Sequence, residues 1–261
     1  MNTSFPPAYL SPQLRQSATT TAMMLDMMVA LVPTMGMAVF LFGPRVLVLC
    51  AISVASCAFS EWLYRRLTHQ SNTLNDLSAC VTGLLLALSL PVSSPYWVPI
   101  LGGAFGIIVV KQFYGGLGKN FMNPALAGRM LCATLPILMT TWVKPGRANW
   151  AGLLSGTVGM NGAELATGAT PLSVDFMHSG LLPDASLGDM LIGNVGGCLG
   201  EVSALMLIVG GIYLVVRGVI RVRVPVSFIA SVAVLTFLCP AAGVGRLDWM
   251  LYNLLGGGLM L

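Results

Sequence analysis

Charge is what this sequence has least of. Lys, Arg, Asp and Glu together make up 8% of its 261 residues, where a soluble domain carries about a quarter. With 56% hydrophobic residues and a mean hydropathy of +0.84, that scarcity excludes a soluble fold and reads as an integral membrane protein. The 13 basic residues leave a net charge of +4, but they are scattered between apolar runs. No basic stripe interleaves with aromatics, which excludes nucleic acid as a partner. The six cysteines, Cys50, Cys57, Cys80, Cys132, Cys198 and Cys239, lie in or at the ends of apolar runs. No two have the short spacing of a metal or redox motif, so they read as small hydrophobes in packed helices. The chain also lacks an iron–sulfur cysteine set, a dinucleotide fingerprint and a phosphate-binding glycine-lysine-Ser/Thr loop. Residues 1–20 are polar and proline-rich, unlike a cleavable signal peptide.

What is present is a series of long apolar runs. Crossing a bilayer core takes about 20 apolar residues in a helix, since only helices and closed barrels satisfy the backbone there. Seven such runs occur near residues 22–42, 46–64, 77–92, 96–113, 124–142, 190–216 and 224–241, and an eighth starts near 250 and is cut short. The expected fold is an all-α integral membrane protein, a polytopic helical bundle. It divides into a first membrane half at 1–142, a connection at 143–189 and an incomplete second membrane half at 190–261.

Basic residues orient it. Arg15, Arg65, Arg66, Lys111, Lys119, Arg129, Arg217, Arg221 and Arg223 fall on one side of the alternating runs, against Arg45, Lys144, Arg147 and Arg246 on the other. The richer side is cytoplasmic, which puts the N-terminus inside and the 143–189 connection outside. Loops of that length are functional or disordered. A faint repeat relates "LSACVTGLLLALSLP" to "LYNLLGGGLML". An odd number of intervening helices would invert the second copy, as in many transporters.

Several stretches carry candidate chemistry. In "KQFYGGLGKNFMNPALAGR", residues 111–129, Gly115, Gly116 and Gly118 permit a tight turn, and Asn123 before Pro124 reads as an N-cap and first helical position. The helix start there would suit an anionic or carbonyl-rich ligand, or simply be a turn between two helices. Among acids, Asp26 and Asp76 sit early in their runs, where a helix N-terminus favours a carboxylate. Glu201, inside "GGCLGEVSAL", is expected a third of the way along its helix, and with Asp76 it is a candidate for an ion pathway. Glu61 precedes Arg65 by four residues, the spacing of an interfacial ion pair. The stretch "NGAELATGATPLS", residues 161–173, sets Thr170 before Pro171, which on local chemistry is a helix cap.

That stretch resembles the flavinylation motif of the RnfD/NqrB family of membrane subunits. In that family an acid precedes a Ser/Thr-Gly-Ala-Thr group whose last threonine carries flavin mononucleotide through a phosphoester. The matching residues are Glu164, where the family's usual acid is aspartate, then Thr167, Gly168, Ala169 and Thr170. "DLSACVTGLLLALSLP", "KQFYGGLGKNFMNPALAGR" and "GGCLGEVSAL" resemble further family segments, in the family's order, and the resemblance is nearest to RnfD. It implies about ten membrane helices as two inverted five-helix halves, the second incomplete in this chain.

The resemblance further implies a subunit of an ion-translocating ferredoxin:NAD⁺ oxidoreductase in a bacterial inner membrane, relaying electrons through FMN on Thr170 and coupling them to Na⁺ or H⁺ movement. Its partners would be a second flavin subunit, iron–sulfur subunits, an NAD-binding subunit and, during maturation, a flavin transferase. A noncovalent riboflavin is a further cofactor that the resemblance brings in. The rival expectations are a small-solute channel or transporter of inverted-repeat fold without covalent flavin, and a passive membrane scaffold.

Overall fold

A computed structural model of the chain describes residues 19–134, 187–193, 195–201, 203–240 and 245–255. Among these the protein is helical throughout, with no strand. The first half contains α1 (Thr20–Phe42), α2 (Arg45–Leu67), a 3₁₀ turn (Leu74–Asp76), α3 (Ser78–Leu88), α4 (Trp97–Phe105) continuing into a π-helical turn (Gly106–Gln112), and α5 (Pro124–Ala133). Beyond it come α6 (Leu187–Ile192), α7 (Ala204–Val216), α8 (Arg223–Leu238) and α9 (Arg246–Leu255).

Two of these helices, α1 and α2, are by themselves long and apolar enough to cross a membrane, each with 23 residues and a hydropathy of 1.9. The ends of α1 are set by local chemistry. Thr19 accepts a hydrogen bond from the Ala22 N–H at the start, and Gly43, at φ 87°, returns its N–H to the Val39 carbonyl at the end. The expected start of α5 is observed as well, with Asn123 accepting from the Ala125 N–H and Pro124 opening the helix. Gly115, Gly116 and Gly118 all take positive φ in the turn before it.

Two expected helices are broken. The run at 77–92 is helical only over α3, whose 11 residues rise about 16 Å, half the apolar thickness of a bilayer. Pro91 and Pro95 account for the stop, since each lacks an N–H and disfavours helix at the residue before it. The run at 190–216 is likewise two pieces. Gly193, at φ 106°, ends α6, and α7 begins only after Ser203, which is extended and caps the Met206 N–H.

The two unwound segments meet and satisfy each other's backbone. The Leu199 N–H donates to the Leu90 carbonyl at 3.0 Å and the Gly200 N–H to the Leu88 carbonyl at 2.6 Å. Non-helical backbone survives in an apolar interior only when it is paired in this way. Leu88, Val92 and Leu199 join Val46, Leu49 and Ala87 in the largest buried cluster.

Small residues let the helices approach closely. A methyl on Gly83 would fall 2.6 Å from Val54 Cα, so α3 lies backbone to backbone on α2. Gly106 and Gly128 make similar approaches to Pro124 and Gly102, and Gly210 of α7 rests against Ala30 of α1. Such small-residue contacts are the packing mode of membrane helices. Cys50, Cys57, Cys132 and Cys198 are buried and unpaired, as small core residues should be.

Candidate functional site

The most deeply buried charges gather where α2, α3 and the π-turn converge. Glu61 and Lys111 rank among the largest fully buried side chains, at 0% and 1% exposure. The Lys111 ammonium donates to Glu61 Oε2 at 2.8 Å and also to Ser78 Oγ. Glu61 Oε1 accepts from Thr73 Oγ1 at 2.7 Å and from Gln112 Nε2 at 2.9 Å. The carboxylate is thus held by one cation and two neutral donors, which makes a buried charge tolerable.

The expected ion pair of Glu61 with Arg65, four residues on, is present at 4.0 Å, with another Arg65 nitrogen donating to the Ser71 carbonyl at 2.8 Å. A closer partner, Lys111, comes from 50 positions away.

Asp76 belongs to the same cluster. Its Oδ1 accepts from both the backbone N–H and the hydroxyl of Ser78, so it caps α3 and reaches Lys111 through one shared hydroxyl. Between Asp76 and Ser78, Leu77 takes a left-handed φ of 60°. Bulky residues rarely adopt that conformation, and it collects at functional positions. The π-turn adds a second irregularity. The Phe113 N–H bonds the Ile108 carbonyl and the Gly116 N–H the Lys111 carbonyl, both five residues back. This wider turn lets the consecutive residues Lys111 and Gln112 both reach Glu61.

Glu201 is not inside a helix. It lies in the unwound segment before α7 and accepts from Arg129 of α5 at 3.0 Å, while a second Arg129 nitrogen reaches Cys198 Sγ at 3.4 Å. The pair ties α5 to the broken stretch, with Glu201 nearly closed off and Arg129 30% exposed. Asp26 is buried by packing of α1 on α7, where Tyr213 Oη donates to it at 3.0 Å and Arg217 lies 3.1 Å away.

Arg45, expected only as a loop charge, is also buried. Its guanidinium donates to the Val92 and Ser94 carbonyls, each at 2.9 Å, and lies 4.7 Å from the Tyr96 ring centroid, clamping the chain between α3 and α4. Sequence reasoning passes over Lys111, Gln112 and Arg45 as site residues. A signal exists for Lys111, an ionisable residue directly after the apolar "GIIVV".

Thr170, Thr167, Gly168 and Ala169 lie outside the described residues. Among the described residues no group of three His, Cys, Asp or Glu side chains is arranged to hold a metal.

Apolar helices packed through glycines, with paired charges buried between them and two unwound segments joined in the interior, define a membrane-type helical bundle. The chain belongs to the NQR2, RnfD, RnfE family, whose model matches residues 8–261. It is 36% identical over 254 residues to the D subunit of the Na⁺-translocating ferredoxin:NAD⁺ oxidoreductase complex of Acetobacterium woodii, covering 96% of this chain and 73% of that one. It is 33% identical to the D subunit of the ion-translocating oxidoreductase complex of Cronobacter sakazakii, covering 96% and 78%. It is 30% identical to the D subunit of the proton-translocating ferredoxin:NAD⁺ oxidoreductase complex of Clostridium ljungdahlii, covering 96% and 74%.

Proposed function

We propose that this chain is the membrane flavin-carrying subunit of an ion-translocating ferredoxin:NAD⁺ oxidoreductase. The observation that carries this reading is the family match over residues 8–261, with relatives named as the D subunits of such complexes. FMN on the Thr170 hydroxyl would supply the electron relay. The residue types present suit that attachment, because Gly168 and Ala169 are the small neighbours such a modification calls for and Thr167 completes the motif. Other subunits supply the ends of the electron path: a second flavin subunit, iron–sulfur subunits and an NAD-binding subunit. A flavin transferase acts in maturation, and a noncovalent riboflavin is a further cofactor of the proposed subunit.

The buried Glu61–Lys111–Asp76 cluster and the Glu201–Arg129 pair are the proposed contribution to Na⁺ or H⁺ movement, since charges held among apolar helices line pathways. The distribution of Lys and Arg supports a cytoplasmic N-terminus and an external 143–189 connection in the bacterial inner membrane. The proposed frame is two inverted five-helix halves. A second reading, a small-solute transporter without covalent flavin, draws on the unwound Leu199–Gly200 stretch paired with the end of α3 and the turn after it, at Leu88 and Leu90. Membrane vesicles containing the whole complex separate the two. Ferredoxin-driven NAD⁺ reduction with ion uptake, lost when this chain is deleted, is expected; solute flux without electron transfer would favour the second reading.

A further inference from the structure

We propose that the turn between α7 and α8 docks an anionic phospholipid, its phosphate held by Arg221 and Arg223 and its acyl chains lying along the apolar helix faces beside them. This rests on the reading of the chain as a membrane subunit with that turn on the cytoplasmic side, and it gives the subunit a lipid partner.

Charge is one-sided here. Arg217, Arg221, Arg223 and Arg246 are the only charged residues between Glu201 and Asp248. Arg217 is already paired, since its guanidinium lies 3.1 Å from the Asp26 carboxylate. Arg221 and Arg223 are exposed, and neither guanidinium has a hydrogen bond or ion pair to a described residue. Two unmatched cations at the end of an apolar helix favour a ligand of net negative charge. A phosphodiester headgroup supplies it, and the guanidinium fork matches phosphate oxygens. A zwitterionic headgroup carries its own cation and matches less well.

The turn is built to hold the two arginines. Gly218 takes φ 73°, and the Val219 and Ile220 N–H groups both bond the Leu214 carbonyl, at 3.0 and 3.4 Å. Arg217 also donates through Nε to Asp26 of α1, which fastens the turn to the bundle. Arg221 and Arg223 therefore follow an ordered end of α7 and open α8.

The faces beside them are apolar and unpartnered. Although α7 and α8 are consecutive, they share no packed interface: α7 packs on α1 and α6, and α8 on α9 alone among the described helices. No residue of α8 is buried. Val226, Phe228 and Leu235 are exposed on it, as are Ile212 and Val216 on α7. From Val224 to Leu235 the helix rises about 17 Å, close to the ~15 Å acyl layer of one leaflet. A charged head above an apolar face one leaflet deep is the shape of a phospholipid. A purely apolar partner helix would cover the face and leave both arginines unmatched.

The test uses the whole purified complex in nanodiscs of phosphatidylcholine with a rising fraction of phosphatidylglycerol that carries a photoreactive group in one acyl chain. After irradiation, crosslinked peptides of this chain are mapped by mass spectrometry. Wild type should crosslink within α7 and α8 in a saturable way, and unlabelled phosphatidylglycerol should compete where further phosphatidylcholine does not. Combining Arg221→Gln with Arg223→Gln should raise the half-saturating fraction about thirtyfold, a factor of about five for each basic side chain near a lipid surface. Arg221→Lys with Arg223→Lys should recover part of that loss. Arg66→Gln, which removes another exposed arginine from α2, should change nothing. No crosslink on α7 or α8 would mean that protein covers this face, and would overturn the proposal. So would equal labelling by a phosphatidylcholine bearing the same group, an unchanged response in the double glutamine chain, or an equal loss in Arg66→Gln. Ferredoxin-driven NAD⁺ reduction is scored on the same samples. Activity without this site overturns only the lipid partner, whereas the site without activity keeps it and removes the functional reading.

Discussion

The Lys111 ammonium lies 2.8 Å from the Glu61 carboxylate, with both side chains closed to solvent. Removing one partner leaves the other charged in an apolar surround, at a cost of about 3–5 kcal/mol. Glu61→Gln and Lys111→Met should each lower the unfolding temperature sharply. The double variant should be less destabilised than the two single effects combined, as a double-mutant cycle by thermal denaturation would reveal. Simple additivity would mean that the two groups are not coupled.

Gly83 and Gly36 make a matched pair of probes for helix packing. An alanine methyl at Gly83 would meet Val54 Cα at 2.6 Å, whereas one at Gly36 meets nothing within 4 Å. Overpacking against backbone costs about 1–3 kcal/mol, so Gly83→Ala should destabilise the purified protein and Gly36→Ala should leave its melting temperature unchanged or raised.

Arg45→Lys should loosen the link between α3 and α4. A lysine keeps the charge but loses the fork that holds the Val92 and Ser94 carbonyls. Losing one charged hydrogen bond costs about 1.5–3 kcal/mol. Limited proteolysis near Ser93 should accelerate while the overall helix content by circular dichroism is retained.

Whether Glu201 serves ion movement or only fastens α5 is open to a direct comparison. Glu201→Gln retains a carbonyl oxygen for the Arg129 N–H that now bonds Glu201 at 3.0 Å, so complex assembly and flavin content should persist. Ion uptake in vesicles should fall. Normal uptake would leave Glu201 with a purely structural role.

The two long helices can be read from the sequence because α1 and α2 are continuous apolar runs, and the start of α5 because Asn123 and Pro124 act locally. The breaks are harder to see. Composition treats "LSLPVSSP" and "GGCLGEVS" as extensions of their apolar neighbours, although Pro91, Pro95 and Gly193 are the local signals that stop the helices. Composition therefore puts Glu201 in a helix that it only precedes. Of the pairs in the site, sequence spacing shows only the local one, Glu61 with its helical neighbour Arg65. The closer partner, Lys111, arrives through tertiary packing of the π-turn on α2. Asp26 with Arg217 and Arg129 with Glu201 are long-range pairs of the same kind.

Flavin fluorescence of the denatured chain tests the proposed electron relay most directly. The complex is produced together with its flavin transferase, denatured, separated on a gel and viewed under ultraviolet light, wild type beside Thr170→Ala. A fluorescent band at the mass of this chain in wild type, absent from Thr170→Ala, is the predicted result. Fluorescence that survives in Thr170→Ala, or that is absent from wild type, would contradict it.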